Sequence, residues 1–339
     1  MIDHTSVLRD PEWLAHRYDE AGDAFRFVRV PRKAHRQATF LTDEHLDGTG
    51  EYVAIPRVEI DRAAFSTAPV HFVFHAAYCC STLVARMFDR EGCAMGLKEP
   101  QVLNDIVGWR RRGAEVQRLA AVLDMALALL ARPFAEGEAV VVKPSNLVNA
   151  IAPAMLGIRP DARALQLYAP IEDFLSSIAV KGMWGRKWVR TLLIGQARDT
   201  MLSHRFTTEE LLELTDLQVA GLGWLSQLAQ FARMREKYGT DRVAICDSVS
   251  LLRDPAATVA AAYGKFAIAL DPADVDTIAQ GEAFTQNSKD RSAYSAVERR
   301  EQLDRTRASH AEEIGMVAEW VRRLASDIGL DAHPSQSLL

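Results

Sequence analysis

The sequence has few of the features that mark secreted, zinc-binding or membrane proteins. Only four of its 339 residues are cysteines, and no two of them have the Cys-x-x-Cys spacing of a structural zinc site. The chain does not begin with a basic segment followed by an apolar one, so we expect no secretory signal. Its most apolar helical pattern, residues 119–131, contains Asp124 and is too short to span a bilayer. These absences predict a cytoplasmic protein that contacts no membrane and holds no metal.

An excess of charge of either sign is also absent. Forty basic residues stand against forty-five acidic ones, which gives a formal net charge of −5. No broad basic surface is therefore expected for nucleic acid, and the predicted partner is a small molecule. Hydrophobic residues make up 48% of the chain, enough to bury a substantial core. The oligomeric state has no signature in the sequence.

From residue 70 onward, short apolar segments alternate with helical patterns. The predicted strands are 70–75, 94–97, 138–143, 163–168 and 242–246, and the helical patterns between them are 82–90, 115–132, 147–157 and 171–181. Most of these strands lack polar alternation, as strands buried on both faces do. The alternation predicts an α/β fold: a doubly wound, mostly parallel sheet with helices on both faces.

Both ends of the chain differ from this central pattern. Strand-like segments at 25–30 and 51–60 predict that residues 1–66 form an N-terminal extension of mixed strands and loops. The α/β domain is then assigned to residues 67–339. Its C-terminal part is predicted to be helical, with helices over 208–237, from Asp254-Pro255 onward and over 297–328. Thr207 with Glu210 forms a capping-box pattern, and Asp254-Pro255 is a cap followed by proline.

Residues 70–82 carry the most specific local pattern. A strand ends in the small residues Ala76 and Ala77, and Ser81 and Thr82 then stand at the start of a helix. Backbone N–H groups at such a point favour a bound anion, usually a phosphate. The glycines and the lysine of the G-x-x-x-x-G-K-[ST] loop are missing, however. The segment therefore predicts an anion site that differs from that of an ordinary ATPase.

Polar residues also follow the other predicted strands. Lys98-Glu99 follows the second strand, Lys143 ends the third, Tyr168 ends the fourth and Asp247-Ser248 follows the fifth. Because ligands of open α/β sheets bind outside the carboxyl ends of the strands, these residues are expected to meet in one cleft.

The order of these segments resembles that of the sulfotransferase superfamily. The family's signature Pro-[Lys/Arg]-Ser-Gly-Thr-Thr falls on 77–83, and its signature Arg-Asn-Pro-x-Asp-x-x-x-Ser falls on 168–176 with the proline and serine in register. Val140-Val141-Val142-Lys143 looks like the family's central strand, and the likeness spans about residues 70–295. It implies a P-loop-like enzyme that moves a sulfuryl group from 3′-phosphoadenosine-5′-phosphosulfate (PAPS) to a hydroxyl or amine of a small acceptor, without a metal.

The resemblance also implies site residues. The 5′-phosphosulfate side would be bound by Tyr78, Cys79, Cys80, Ser81 and Thr82, and the 3′-phosphate by Tyr168, Ser176 and a late basic loop with Lys289 and Arg291. Tyr78 and Tyr168 stand where the family has cations, and a tyrosine hydroxyl cannot neutralise an anion near pH 7. Either another cation substitutes for them, or the ligand differs from PAPS; the candidate cations are Lys143, Lys98, Arg86, Lys289 and Arg291. Lys143 is the first choice, because a lysine at the end of a buried strand is favoured by a nearby anion.

Glu99 is the predicted general base, since sulfuryl transfer requires a group that takes the proton of the acceptor. A purely structural pairing of Glu99 with Lys98 or Lys143 is the alternative, and His75 is a second candidate base. Trp184, Trp188 and Trp224 could line the acceptor region.

Two other functions remain open from the sequence. The loss of both signature cations is compatible with a non-catalytic nucleotide-binding or regulatory protein of the same fold. A divergent P-loop kinase acting on a metabolite is also compatible, with Thr82 and Asp247 as magnesium-binding residues.

Overall fold

The structure is a computed structural model that describes residues 3–46, 52–199, 202–286 and 296–339. Its strands are β1 (Trp13–Asp19), β2 (Ala24–Arg29), β3 (Val53–Pro56), β4 (Val70–His75), β5 (Ala94–Lys98), β6 (Ala139–Lys143), β7 (Ala164–Tyr168) and β8 (Val243–Asp247). Its helices are α1 (His4–Arg9), α2 (Arg32–Gln37), α3 (Ser81–Met87), α4 (Gln101–Arg111), α5 (Val116–Leu130), α6 (Ala152–Ile158), α7 (Ile171–Val180), α8 (Gly182–Arg198), α9 (Thr208–Glu213), α10 (Asp216–Tyr238), α11 (Ser248–Arg253), α12 (Pro255–Phe266), α13 (Pro272–Ala279), α14 (Glu282–Thr285), α15 (Ala296–Ser309) and α16 (Ala311–Asp327).

Strands β4 to β8 form a parallel sheet in the order β5-β6-β4-β7-β8. Every residue of β4, β5, β6 and β7 is buried, which explains why these strands read as continuous apolar segments. The predicted α/β fold class is confirmed by this parallel sheet and the helices that flank it. Each of its strands begins and ends within one residue of the predicted bounds.

The register of the sheet brings the carboxyl ends of its strands to one edge. Lys98 pairs with Lys143 across β5 and β6, and Tyr168 pairs with Asp247 across β7 and β8. β4 lies between β6 and β7, so the segment that follows it emerges at the centre of this edge. Gly96 lets α3 pack closely on β5, because a Cβ atom at this position would lie 2.0 Å from the carbonyl oxygen of Ala85.

The C-terminal half is helical as predicted, but two long helices are interrupted. The single helix predicted over 297–328 is wrong: α15 ends at Ser309, and α16 begins after His310. The pattern over 208–237 divides in the same way, because Thr215 forms a second capping box with Gln218 and starts α10. The capping box of Thr207 and the cap at Asp254 are confirmed.

The N-terminal residues form an antiparallel sheet, β1-β2-β3, that packs beside the parallel sheet. The buried Arg132 joins the two parts, since its guanidinium donates to the carbonyl oxygens of Val7 and Leu8, each at 3.0 Å. The assignment of a boundary between residues 66 and 67 stays a prediction. Within the described ranges, no helix has both the length and the apolar composition needed to cross a bilayer.

Candidate functional site

The segment between β4 and α3 has an unusual backbone. Ala77, Tyr78 and Cys80 all have positive φ angles, of 71°, 52° and 63°, and such angles are strained for residues other than glycine. The strain is offset locally, because the N–H of Ala77 donates to His75 Nδ1 at 3.1 Å and Cys79 Sγ donates to the carbonyl of Leu167 at 3.3 Å. Left-handed turns of this kind bring successive backbone N–H groups onto one concave surface, which suits an anion.

This segment and the first turn of α3, together residues 77–83, line a cleft of about 700 Å³. The same cleft is lined by Glu99 and Lys143, and by Trp184 and Trp188 of α8. The structure therefore brings together the loop, the predicted base and the first-choice cation, which were predicted from three separate strand ends.

Lys143 and Glu99 form an ion pair inside the cleft. The Lys143 side chain is 1% exposed and the Glu99 side chain 18%, and Nζ contacts Glu99 Oε1. The backbone N–H of Glu99 donates to the carbonyl of Lys143 at 2.6 Å, and Lys143 Nζ lies 5.1 Å from the centroid of the Phe40 ring. The pair is thus fixed by both main-chain and side-chain contacts at the junction of β5 and β6.

His75 orients the loop through both ring nitrogens. Because Nδ1 accepts from the N–H of Ala77, the proton is placed on Nε2, which donates to the carbonyl of Pro144 at 3.1 Å. Nε2 lies 3.9 Å from Glu99 Oε1. A histidine engaged in this way fixes the strand end against the loop, which leaves Glu99 as the better placed base.

Tyr78 contributes no charge to the cleft. Burial raises the pKa of its hydroxyl to about 12, so the side chain is neutral at pH 7. Its ring packs edge-on against Trp188, with centroids 5.6 Å apart and an interplanar angle of 86°. Its backbone carbonyl accepts a hydrogen bond of 2.9 Å from Arg299 Nη2, and Arg299 lines the same cleft. Arg299 was missed in the sequence because it lies in a charged helical pattern that resembles a solvated surface.

The second sequence signature lies outside the lining of this cleft. The Tyr168 hydroxyl accepts from Gln336 Nε2 at 2.9 Å, and burial raises its pKa to about 12. The Ser176 hydroxyl donates to the carbonyl of Glu172 in its own helix at 2.7 Å, and Ser176 is fully buried. Their assignment to the 3′-phosphate stays a prediction. Lys289 and Arg291 lie outside the described residues, so their assignment stays a prediction as well.

The other candidate cations are directed elsewhere. Lys98 is 1% exposed, and its Nζ donates to the carbonyls of His35 at 2.7 Å and Arg36 at 3.1 Å. It holds the end of α2 rather than lining the cleft. Arg86 lines a second cavity, together with Arg36 and Arg90.

The tryptophans divide between the cleft and the core. Trp184 and Trp188 stack with ring centroids 6.4 Å apart, and Trp184 is 61% exposed. Trp224 is 1% exposed, and its Nε1 donates to the carbonyl of Ala169 at 2.9 Å. The cleft thus has an aromatic wall, formed by Tyr78, Trp184 and Trp188. No cluster of His, Cys, Asp and Glu suited to a metal occurs among the residues that the structure describes.

No protein-family model and no curated protein matches the chain. Solved structures that resemble it include a sulfotransferase domain from the curacin biosynthetic pathway, with 12% identity and a TM-score of 0.44, over 79% of this chain and 99% of that one. Sulfotransferase STF1 from Mycobacterium tuberculosis has 15% identity and a TM-score of 0.41, over 73% of this chain and 77% of that one. A sulfotransferase domain from the Synechococcus PCC 7002 olefin synthase has 13% identity and a TM-score of 0.43, over 75% and 94%.

All three are sulfotransferases or sulfotransferase domains, the family that the two signatures resemble.

Proposed function

We propose that this protein is a sulfotransferase-like enzyme that moves a sulfuryl group from PAPS to a hydroxyl or amine of a small acceptor. The proposal is based on one observation: the strained loop and the Glu99–Lys143 pair line the same cleft. An anion-binding backbone beside a carboxylate and an ammonium group is what sulfuryl transfer requires, because catalysis of this kind depends on positioning and charge stabilisation.

The fit of the donor can be judged from the loop. Backbone N–H groups of residues 79–82 and the hydroxyls of Ser81 and Thr82 would hold the 5′-phosphosulfate side, and both hydroxyl residues line the cleft. The bound donor would supply the sulfuryl group and leave as adenosine 3′,5′-bisphosphate. The Cys79 thiol holds the loop against β7, because it donates a hydrogen bond to the carbonyl of Leu167. Burial raises the pKa of this thiol to about 12, so it stays protonated at pH 7.

Glu99 and Lys143 have complementary roles in this proposal. The Glu99 carboxylate would take the proton of the acceptor hydroxyl or amine on Oε2, while Oε1 is held by Lys143 Nζ. Lys143 would stabilise negative charge that develops at the leaving oxygen, as a preorganised cation does in a site shielded from water. The aromatic wall would orient the acceptor.

The kinase alternative is less well supported. Its second metal-binding residue, Asp247, caps α11: its Oδ1 accepts from the N–H groups of Val249 at 2.7 Å and Ser250 at 2.9 Å, and Oδ2 accepts from the Ser250 hydroxyl. Among the described residues that line the cleft, Thr82 is present and Asp247 is not. A non-catalytic nucleotide-binding protein stays an alternative that binding and transfer assays separate.

Isothermal titration calorimetry of the purified protein with adenosine 3′,5′-bisphosphate tests the proposal. We expect saturable binding that is weakened in Ser81→Ala, because that variant loses a hydroxyl in the cleft. Ser226→Ala is the matched control, and its affinity is expected to be unchanged, since its hydroxyl donates to the carbonyl of Leu222 within α10 and Ser226 does not line the cleft. An equal loss in both variants would mean that the effect of Ser81→Ala does not arise from a contact in the cleft.

Three outcomes would contradict the proposal. Absence of nucleotide binding at high micromolar concentrations would exclude PAPS as the donor. Binding without sulfuryl transfer to any of a broad panel of phenols, alcohols and amines would support the non-catalytic alternative. Stabilisation by Mg-ATP, but not by the bisphosphate, in a thermal melt would favour the kinase.

A further inference from the structure

Helix α15 places an arginine where the loop has lost its cation. The Nη2 atom of Arg299 is 2.9 Å from the carbonyl oxygen of Tyr78, at the position that carries Lys or Arg in the signature. The Arg299 side chain lines the cleft together with Ser81, Lys143 and Glu99. A guanidinium has five N–H donors in a planar fork, so it can bond a loop carbonyl and an anion at once.

A buried carboxylate fixes the position of this helix. Asp173, in the first turn of α7, is 3% exposed in its side chain and receives two arginines of α15. Arg300 Nη1 donates to Oδ1 at 3.2 Å and to Oδ2 at 3.3 Å, and Arg307 Nη2 contacts Oδ1. Because Arg300 and Arg307 are seven residues apart, they lie on one face of the helix, two turns from each other.

Contacts two turns apart fix both the rotation and the axial position of α15. Arg299 is adjacent to Arg300 and so lies about 100° around the helix from the face that contacts Asp173. With that face held on α7, the neighbouring face with Arg299 is directed to the loop. The ion pairs of Arg300 and Arg307 with Asp173 therefore hold α15 on α7, in the orientation that places Arg299 in the cleft.

We propose that Arg299 supplies the positive charge for the 5′-anion of the nucleotide in the loop, and that Asp173 is a positioning residue that acts through α15. This inference rests on the proposed function and deepens it, because it names the group that replaces the missing loop cation. It also assigns Arg299 to the 5′ side of the nucleotide, whereas Lys289 and Arg291 were assigned to the 3′ side.

The test compares two probes by isothermal titration calorimetry. Adenosine 3′,5′-bisphosphate carries the 5′-phosphate, and adenosine 3′-monophosphate lacks it. We expect Arg299→Ala to lower the affinity for the bisphosphate about 10- to 100-fold, as the loss of a hydrogen bond to a charged group does. Its affinity for the monophosphate should stay within about twofold of the wild-type value. Arg299→Lys keeps the charge and should recover part of the loss.

Arg305→Ala is the matched control, because it removes the same charge from the same helix at a side chain that is 73% exposed. Its affinity for both probes should equal that of the wild type. If the wild type does not bind the bisphosphate, the proposed function fails. If the wild type binds and Arg299→Ala binds equally well, only the present inference fails. An equal loss for both probes would place Arg299 outside the 5′ subsite and would also overturn it.

A double-mutant cycle tests the role of Asp173. Asp173→Asn should lower the affinity for the bisphosphate in the wild-type background. It should have no further effect on this affinity in the Arg299→Ala background, because its effect is exerted through Arg299. Circular dichroism of each variant confirms that the compared proteins are folded. Additive losses in the double variant would show that Asp173 acts by another route and would refute its positioning role.

Discussion

The Glu99–Lys143 pair gives a prediction about stability that depends on which partner is removed. Glu99→Gln removes the negative charge and leaves the Lys143 ammonium, 1% exposed, without its counter-ion. Lys143→Met leaves the Glu99 carboxylate, which is 18% exposed and so reaches water. The two substitutions each remove one charge of the same pair, but they leave charges that differ in burial.

The magnitudes follow from that difference in burial. Breaking a buried ion pair costs about 3–5 kcal/mol when the remaining charge has no contact with water. For Glu99→Gln we expect about 3 kcal/mol, the lower end, since the amide oxygen still accepts from Lys143. For Lys143→Met we expect about 1 kcal/mol, the net value of an ordinary hydrogen bond, because the carboxylate is partly hydrated. The double variant should be more stable than Glu99→Gln alone, because it leaves no buried charge.

Urea unfolding at pH 7, followed by tryptophan fluorescence, measures the free energy of unfolding of all four proteins. Ser145→Ala serves as a control for small changes at the cleft, since its hydroxyl donates to Asn104 Oδ1 at 2.6 Å and carries no charge. The reasoning is refuted if Lys143→Met is less stable than Glu99→Gln, or if the double variant is the least stable of the set. Either result would mean that Lys143 is hydrated and that the pair is not buried as the structure has it.

Two further predictions concern the fold that supports the site. Burial lowers the pKa of His35 to about 3. Below pH 6.5 the folded state therefore binds fewer protons than the unfolded state, and the free energy of unfolding decreases as the pH is lowered. Neither ring nitrogen of His35 has a hydrogen-bond partner among the described residues, so His35→Leu removes no hydrogen bond. Between pH 7 and pH 5, the free energy of unfolding of this variant, measured with urea, should decrease by about 2 kcal/mol less than that of the wild type. Gly96→Ala should lower the free energy of unfolding by about 3 kcal/mol, since the added Cβ would lie 2.0 Å from the Ala85 carbonyl oxygen. Gly264→Ala is the control and should raise the melting temperature slightly, because its added Cβ would meet nothing within 4 Å. Equal melting temperatures of the two variants would contradict the close packing at Gly96.

The parallel sheet was predictable because burial on both faces leaves a clear sequence pattern. Each of β4, β5, β6 and β7 is a short apolar segment bounded by polar or small residues. The meeting of Glu99 and Lys143 follows from the same pattern, since residues at the carboxyl ends of parallel strands share one edge of the sheet. For this part of the site, strand ends alone were sufficient.

The contributions of α15 could not be predicted in this way. Arg299 and Tyr78 are 221 residues apart, and Arg300 and Asp173 are 127 residues apart. A charged helix has the same pattern whether its arginines meet water or a buried carboxylate, so no local signal distinguishes the two cases. The break at His310 was missed for a related reason, because helical periodicity continues across it.

The two tyrosines at cation positions have different explanations in the structure. Tyr168 is held by Gln336 near the end of the chain, and Gln336 Oε1 also accepts from the N–H of Asp247 at 2.8 Å. Gln336 therefore links Tyr168 at the end of β7 to Asp247 at the end of β8. Tyr78 remains in the cleft, with its ring on the aromatic wall and its carbonyl bonded to Arg299. In the site that we propose, the positive charge at the loop is supplied by a helix rather than by the loop itself, and the Tyr78 side chain is part of the aromatic wall.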